Sequence, residues 1–425
     1  FTVVGVGDMS CDVFGNGMLL SEHIRLIAAF DHRHIFIDPN PEASKSFVER
    51  HRMFSLPRSS WEDYNVKLIS KGGGIYPRSV KSIDLTPEAK SALGIDPEVT
   101  SVTPNELLTM ILLAPVDLLW NGGIGTYIKA TSETHAQVGD KANDAIRING
   151  SDIRARVVGE GGNLGATQLG RIEAAHAGVK LNTDAIDNSA GVDTSDHEVN
   201  IKIALNGEVA AGRLSRPDRD ALLKVMTDDV SELVLRDNRL QTQAISLAET
   251  GGAAAVPVLQ RLIQTLEGRV GLDRKVEGLP GDDVLGQRAQ AGEGLTRPEL
   301  AVVMAYAKMA AYDVLVTSAV VDDPLLEADL IAAFPAAMQG THRDAILHHR
   351  LRRELVATKL TNELINRAGL SAPFELAEEL GAGIADIARA FVAARRLFGF
   401  AGLWQAIDTA AVPATAANAL HRAAQ

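Results

Sequence analysis

The fold of this chain is decided by its first residues, Phe1-Thr-Val-Val-Gly5-Val-Gly7-Asp8-Met9-Ser10, which lead into Gly17-Met-Leu-Leu. A short β-branched run is followed by Gly-x-Gly-x-x-Ser and then by apolar residues with helical spacing. This order of strand, glycine turn and helix is typical of a dinucleotide-binding fold. We expect Gly5 to form the tight turn, Gly7 to let the backbone approach a pyrophosphate, and Ser10 to let the helix pack against the strand. The alternative is a glycine-rich turn that binds no ligand.

The composition is that of an ordinary globular chain. Of 425 residues, 46% are hydrophobic and 23% are charged, which allows a sizeable core and two or three domains. The net charge of −12 argues against nucleic acid or an anionic membrane as a partner. The single cysteine, Cys11, excludes an internal disulfide and fits a reducing, cytoplasmic location. The most apolar long run, residues 301–321, contains Lys308 and Asp313 and predicts a buried helix rather than a membrane span.

Later segments repeat the pattern of an apolar strand that ends in glycine or asparagine. Two of these strand ends are Asn121-Gly-Gly and Gly159-Glu-Gly-Gly-Asn163. Between the strands, Thr86-Pro and Thr103-Pro predict helix N-termini with threonine as the cap. This alternation predicts an α/β fold with a Rossmann-like, doubly wound and mostly parallel sheet. We expect it to span residues 1–205 and to bind its ligand at the carboxyl ends of the strands.

Two acidic residues are candidates for the ribose contact. An acidic residue at the end of the second strand accepts hydrogen bonds from an adenosine ribose and repels a 2′-phosphate. Asp31 lies 24 residues after Gly7 and Asp38 lies 31 after it, whereas the usual spacing is about 20. Asp31 fits this spacing better, and Asp38, which precedes a proline, is the second candidate. Either residue could instead be an ordinary turn residue at a strand end.

The second half of the chain has a helical pattern rich in alanine and leucine. We expect residues 206–425 to form an all-α C-terminal domain. No metal site is predicted, because the adjacent His348 and His349 cannot share one helix face. The neighbouring arginines could pair with an acidic surface of another subunit.

Six stretches together resemble a glutamate dehydrogenase, most closely the large NAD-dependent bacterial class. They are residues 5–10, 30–41, 70–74, 120–126 (Trp-Asn-Gly-Gly-Ile-Gly-Thr), 159–165 (Gly-Glu-Gly-Gly-Asn-Leu-Gly) and 188–198 (Asn-Ser-Ala-Gly-Val-Asp-Thr-Ser-Asp-His-Glu). The resemblance covers roughly the first half of the chain as a cofactor domain. The helical second half is similar to the C-terminal region that small glutamate dehydrogenases lack.

The resemblance implies oxidative deamination of L-glutamate to 2-oxoglutarate and ammonia, a step of amino-acid catabolism, with NAD as the hydride acceptor. From the pattern and the resemblance together, the expected cofactor-binding residues are Gly5, Gly7, Asp8, Met9, Ser10, Asp31, Asp38, Asn121, Gly122 and Asn163. The substrate-binding residues that the resemblance implies are Asn163, Asn188, Val192 and Ser195. In this family the serine reaches a substrate carboxylate. Ser195-Asp-His-Glu198 also has the spacing of a capping box, so Ser195 could equally be a helix N-cap.

The resemblance also implies that the catalytic acid–base residues are not among these 425 residues. In this family the catalytic lysine and aspartate lie in a substrate domain before the cofactor domain, so no residue here is assigned to them. We expect the chain to be the C-terminal part of a longer, homo-oligomeric protein and to bind cofactor without turnover by itself. The alternatives are another amino-acid dehydrogenase, acting on leucine, valine or phenylalanine, and an NAD-binding regulatory or assembly module.

Overall fold

A computed structural model describes residues 1–7 and 17–425 of the chain. Contacts between Cα atoms divide the chain into two compact units. The first unit comprises Phe1–Asn188 and Thr296–Pro298, and the second comprises Ser189–Leu295 and Glu299–Gln425. The domain boundary expected between residues 205 and 206 stays a prediction.

The first unit is mixed α/β. Its strands are β1 (Thr2–Val6), β2 (Arg25–Phe30), β3 (His34–Ile37), β4 (Gly74–Pro77), β5 (Ile83–Asp84), β6 (Ser101–Val102), β7 (Leu118–Asn121), β8 (Ile128–Lys129), β9 (Ile148–Asn149) and β10 (Val157–Glu160). Its helices are α1 (Ala43–Phe54), α2 (Pro87–Leu93), α3 (Pro104–Leu112), α4 (His135–Val138), α5 (Gln168–His176) and α6 (Asp184–Asp187). Short 3₁₀ turns lie at Trp61–Asp63, Val66–Leu68, Lys141–Asn143 and Gly150–Asp152.

A six-stranded sheet with the order β10-β7-β1-β2-β3-β4 forms the centre of this unit. The first four strands in that order are parallel, as the sequence predicts for this part of the chain. Beyond β2 the direction reverses, because β3 pairs antiparallel with β2 and β4 pairs antiparallel with β3. The carboxyl ends of the four parallel strands therefore lie along one edge of the sheet.

Both faces of this sheet are covered by apolar side chains. Val3 of β1 belongs to a buried cluster that includes Met53 of α1 and Trp61. Its neighbour Val4 belongs to the opposite cluster, which includes Leu108 of α3. Successive strand residues point to opposite faces, so a β-branched run with both faces buried fits a central parallel strand.

The two predicted helix starts in this unit are confirmed. The Thr86 hydroxyl accepts a hydrogen bond from the Ala89 N–H at 3.1 Å, and α2 begins with Pro87. At α3 the bonds are reciprocal, since Glu106 Oε2 accepts from the Thr103 N–H at 2.7 Å. These bonds satisfy N–H groups that a helix N-terminus would otherwise leave unpaired.

Residues 189–425, all of which the structure describes, contain helices and no strand. The helices are α7 (Ser189–Ala210), α8 (Arg216–Val225), α9 (Thr227–Glu249), α10 (Val256–Val270), α11 (Asp282–Gln290), α12 (Arg297–Thr317), α13 (Glu327–Ala332), α14 (Ala336–Gln339), α15 (Arg343–Leu347), α16 (Arg352–Ala368), α17 (Ala372–Leu380), α18 (Ile384–Leu397), α19 (Phe400–Asp408) and α20 (Ala414–Ala423). Three 3₁₀ turns lie at Gly252–Ala255, Ala319–Asp322 and Pro324–Leu326.

Helix α12 is the one helix within residues 1–7 and 17–425 that is long and apolar enough to cross a membrane. Its most apolar window has a mean hydropathy of 1.5, and 44% of that window is buried. Glu299 in its first turn is fully buried and lies 2.8 Å from Arg288 Nη1. Burial lowers the pKa of Lys308, near its middle, to about 8. A buried helix that carries ionisable groups passes the same test of length and composition as a membrane span.

Candidate functional site

The ends of four parallel strands form the candidate site. In the pairing register, Val6 of β1 lies beside Phe30 of β2 and beside Asn121 of β7, which lies beside Glu160 of β10. The residues that follow these strand ends are the glycines and polar residues that the sequence analysis selects. Ligands of open α/β sheets bind at this edge.

Gly7 forms the turn after β1. Its φ of 123° is in the region that favours glycine. Its N–H donates to the Phe30 carbonyl at 2.7 Å, and its carbonyl accepts from Trp61 Nε1 at 3.3 Å. The turn role predicted for Gly5 is wrong, because Gly5 lies inside β1, paired with Ala29 and Trp120. Asp8, Met9 and Ser10 lie outside the described residues, so their roles stay predictions.

Asp31 follows β2 directly and lies at this same edge. Its Oδ1 accepts the N–H groups of Arg33 at 2.7 Å and His34 at 2.6 Å, which fixes the turn into β3. Its Oδ2 is buried and has no hydrogen-bond partner within the described part of the chain. A buried carboxylate oxygen without a partner is costly, and a ribose hydroxyl is a donor that could satisfy it.

Asp38 lies at the opposite edge. Because β3 runs antiparallel to β2, the Asp38 N–H donates to the Ile27 carbonyl, near the start of β2, at 2.8 Å. Its Oδ1 accepts from the N–H and the hydroxyl of Ser70. Its side chain is fully buried, and Oδ2 has no partner in the described residues. The structure therefore brings Asp31, but not Asp38, to the strand ends that carry Gly7 and Asn121.

Asn121 ends β7 and is 4% exposed. Its backbone carbonyl accepts from the Gly162 N–H at 3.0 Å, which ties the β10 loop to this strand. Neither polar atom of its side-chain amide has a partner among the described residues. A Cβ added to Gly165 would lie 1.7 Å from Asn121 Nδ2, so any other residue at this position would displace the Asn121 amide. The next residue, Gly122, donates its N–H to the Val6 carbonyl at 2.9 Å.

The structure brings Asn163 and Asn188 together. Asn188 Nδ2 donates to Asn163 Oδ1 at 2.8 Å on the surface of the first unit. The loop between β10 and α5 that carries Asn163 is fixed by its neighbour Leu164, which has a φ of 58°. The Leu164 N–H donates to Asp184 Oδ2 at 2.8 Å, and the Leu164 carbonyl accepts from the Thr126 hydroxyl at 2.8 Å.

A buried ionic network that the sequence motifs do not predict anchors this loop. Glu160 and Arg171 are 1% and 4% exposed and form a bidentate pair, with Nε to Oε1 at 2.7 Å and Nη2 to Oε2 at 2.8 Å. Burial raises the pKa of Glu160, and the Arg171 guanidinium opposes that shift. Asp187 Oδ2 accepts the Glu160 N–H at 3.0 Å. The one sequence signal for this pair is the glutamate of the Glu-Gly-x-Asn pattern, because a loop with strained backbone dihedrals needs side-chain contacts that hold it in place.

Val192 and Ser195 belong to the second unit. Both lie on α7 and are exposed, and the Ser195 hydroxyl donates to the Gly191 carbonyl at 3.2 Å. The alternative of Ser195 as an N-cap is wrong. An N-cap has non-helical dihedrals, whereas Ser195 lies in the second turn of a helix that begins at Ser189.

Comparisons with known proteins agree with the motifs. A model of the family "Bacterial NAD-glutamate dehydrogenase, catalytic domain" matches residues 1–248, and one described as "Glutamate dehydrogenase, C-terminal" matches residues 292–425. The first match covers more than half of the chain, and the second covers just over half of the helical unit.

Three similar proteins are named NAD-specific glutamate dehydrogenase. The chain is 53% identical to the protein of Pseudomonas aeruginosa over 397 residues, which are 93% of this chain and 24% of that protein. It is 52% identical to the protein of Halomonas elongata over 408 residues, 96% of this chain and 25% of that protein. It is 49% identical to the protein of Mycobacterium tuberculosis over 417 residues, 97% of this chain and 26% of that protein. The chain thus spans about a quarter of the length of these curated relatives, and it belongs to the bacterial NAD-glutamate dehydrogenase family.

Proposed function

We propose that this chain is the nucleotide-binding and C-terminal part of an NAD-dependent glutamate dehydrogenase. The proposed reaction of the whole protein is oxidative deamination of L-glutamate to 2-oxoglutarate and ammonia. The observation that carries the proposal is the carboxyl edge of the sheet, where Gly7, Asp31 and Asn121 end neighbouring parallel strands. The family description and the names of the relatives support glutamate and NAD.

The residues at this edge fit a dinucleotide. Asp31 Oδ2 and the Asn121 amide are buried polar groups without partners among the described residues, and buried polar groups normally have partners. We assign Asp31 to the ribose, where a carboxylate disfavours the 2′-phosphate of NADP. Asn121, with Gly122 and Asn163, is assigned to the carboxamide side, because an amide offers both donors and acceptors. Bound NAD supplies the hydride acceptor.

The phosphate contacts and the substrate contacts are also part of the proposal. Gly7, Asp8, Met9 and Ser10 are assigned to the pyrophosphate. Asn163, Asn188, Val192 and Ser195 are assigned to glutamate. The pair Asn163–Asn188 supports this assignment, since one amide of the pair orients the other at 2.8 Å.

The acid–base groups are proposed to lie in a part of the protein other than these 425 residues. The relatives are about four times as long as the matched region, which supports this division. We further propose a Rossmann-like, doubly wound domain over residues 1–205 and an all-α domain over residues 206–425. The two buried clusters on opposite faces of the sheet support the doubly wound arrangement. A cytoplasmic homo-oligomer that binds neither nucleic acid nor membrane completes the proposal.

The first test is a fluorescence titration of the chain with NADH, with NADPH as the competing cofactor. We expect saturable binding that favours NADH. Asn121→Asp keeps the shape of the side chain but removes its donor, and Gly165→Ala forces the amide to move. Both variants should weaken NADH binding by about tenfold or more, the equivalent of about 1.4 kcal/mol.

The matched control is Gly207→Ala, since Gly207 is an exposed helical glycine with nothing near an added Cβ. This variant should bind NADH as the wild type does. The proposal fails if the chain and the longer protein that contains it both ignore NADH. It also fails if the two edge variants bind NADH like the control.

A further inference from the structure

A cluster of three potential metal ligands lies in the helical unit, the second of the two units. Asp193 and His197 lie four residues apart on α7, so they share one face of that helix. Asp237 lies on α9, which is packed against α7: Asn238 Nδ2 donates to Ser189 Oγ at 2.9 Å. Asp193 Oδ1 and His197 Nε2 are 3.9 Å apart, and one ligand atom from each of the three residues lies within 4.8 Å of the other two.

This cluster opens into a cavity of about 240 Å³. The cavity is also lined by Asn200, whose Oδ1 is buried and has no partner in the described residues. That oxygen is an independent sign of a missing electropositive partner, because a buried carbonyl oxygen without one is costly. Phe334 and Leu355 close the cavity with apolar surface.

The charges around the cavity favour a cation. Carboxylates of Asp193, Asp196, Asp237 and Glu354 line it, against the single ammonium of Lys359. Lys359 Nζ lies 3.2 Å from Asp237 Oδ2. Lys308 of α12 also interacts electrostatically with Asp237.

We propose that Asp193, His197 and Asp237 bind a divalent transition-metal cation, with Asn200 Oδ1 as a further oxygen ligand. Two carboxylates and an imidazole suit zinc or manganese. Bonds of about 2.0–2.2 Å hold two ligands of one ion within about 4.4 Å of each other. The three ligand atoms lie within 4.8 Å of one another, so they must come closer by a few tenths of an ångström to share one ion. The Lys359 ammonium competes with the metal for Asp237 and moves aside on binding.

The consequence of the site is a cross-link between two helices. Ser195 lies between Asp193 and His197 on α7, in the turn that the ion would hold against α9. The metal therefore acts as a positioning element for that turn and takes part in no chemical step. The inference does not depend on the proposed dehydrogenase activity, since it uses residues of the helical unit only.

The test is isothermal titration of the chelator-treated 425-residue chain with Zn²⁺ and, separately, with Mn²⁺. We expect one site per chain. Asp193→Asn replaces a charged carboxylate ligand with a weaker neutral amide oxygen, and His197→Gln replaces the imidazole nitrogen in the same way. Each changes the shape little and should weaken binding by at least about tenfold. Lys359→Met removes the competing ammonium and should tighten it.

The matched control is Asp228→Asn, an exposed carboxylate at the start of the same α9, which should bind the metal as the wild type does. Circular dichroism of each variant establishes that its helices are intact. The proposal is overturned if neither metal binds at millimolar concentration. It is equally overturned if folded Asp193→Asn and His197→Gln bind metal like the control. NADH affinity, measured on the same metal-free samples, reports on the dehydrogenase proposal alone.

Discussion

The two edges of the sheet contain carboxylates that look alike and differ in their surroundings. Asp31 and Asp38 are both buried, both accept hydrogen bonds through Oδ1, and both have an Oδ2 without a partner in the described residues. Asp31 lies beside the turn of Gly7, whereas Asp38 lies beside the start of β2. A buried oxygen without a partner therefore indicates a ligand site only where the backbone turns that follow neighbouring strands lie close together.

The largest expected effect is a loss of stability. It compares the loss of a buried ion pair at the end of the parallel strand β10 with the loss of an exposed ion pair at the edge where the parallel strands begin. Glu160→Ala removes the bidentate partner of the buried Arg171, whose Nη2 keeps the more distant Asp184 Oδ1 at 3.3 Å, and should lower the free energy of unfolding by about 3 kcal/mol. Arg156, which is exposed and pairs with Asp117 at 3.3 Å, is the control. Arg156→Ala should cost less than about 1 kcal/mol. Urea unfolding followed by circular dichroism measures both, and equal losses would contradict the contrast.

The next effect separates the two aspartates by function. Asp31→Ser removes the carboxylate next to Gly7 and should lower NADH affinity by about tenfold, with a smaller loss for NADPH. Asp38→Ser should lower stability, because Ser70 loses its acceptor, while the ratio of NADH to NADPH affinity stays unchanged. Fluorescence titrations of both variants decide the matter. A changed ratio for Asp38→Ser alone would reverse the assignment.

The third prediction is that Ser195 contributes to binding of the substrate and not to binding of the nucleotide. In the full-length protein, Ser195→Ala should raise the KM for glutamate by about tenfold, since a hydrogen bond to a carboxylate is worth about 1.5 kcal/mol at the low end of its usual range. The affinity for NAD should be unchanged. Steady-state kinetics and an NADH titration of the same variant measure the two quantities. An unchanged KM would remove Ser195 from the substrate site.

The smallest expected effect is electrostatic. It concerns Asp117, which lies at the edge of the sheet where the parallel strands begin. Hydrogen bonds from the Thr2 N–H and hydroxyl lower the pKa of Asp117. A carboxyl with a lowered pKa adds stability above its unfolded pKa of about 3.9, and that stability is lost as the pH falls through the folded pKa. Asp117→Asn should therefore lose less stability than the wild type on acidification below about pH 4. Acid unfolding curves of the two proteins would coincide if the exposed carboxyl contributed nothing.

Much of the first unit could be predicted from local sequence. The strand that leads into Gly7 and the threonine caps at Thr86 and Thr103 depend on neighbouring residues only, so pattern and structure agree. The candidate role of Asp38 depended on strand direction. The reversal between β2 and β3 is made by a tight turn at Asp31, and the spacing from Gly7 carries no information about it.

Other parts of the sites depend on contacts between distant segments. The Glu160–Arg171 pair joins a strand to a helix across a loop, so neither residue signals the other in the sequence. The capping-box spacing at Ser195 is satisfied by chance, because α7 begins six residues earlier at Ser189. The cluster of Asp193, His197 and Asp237 exists only because α7 packs against α9.

The hydrogen bond from Trp61 to the Gly7 carbonyl gives this protein an intrinsic fluorescent probe of the proposed nucleotide site. Trp61 is one of three tryptophans, and its indole contacts the turn that is proposed to meet the pyrophosphate. A second, Trp120, lies in β7 immediately before Asn121. Intrinsic emission of the indoles can therefore follow nucleotide binding without a label. Replacing the third, Trp404 of α19, with phenylalanine would leave a spectrum that comes from the first unit alone.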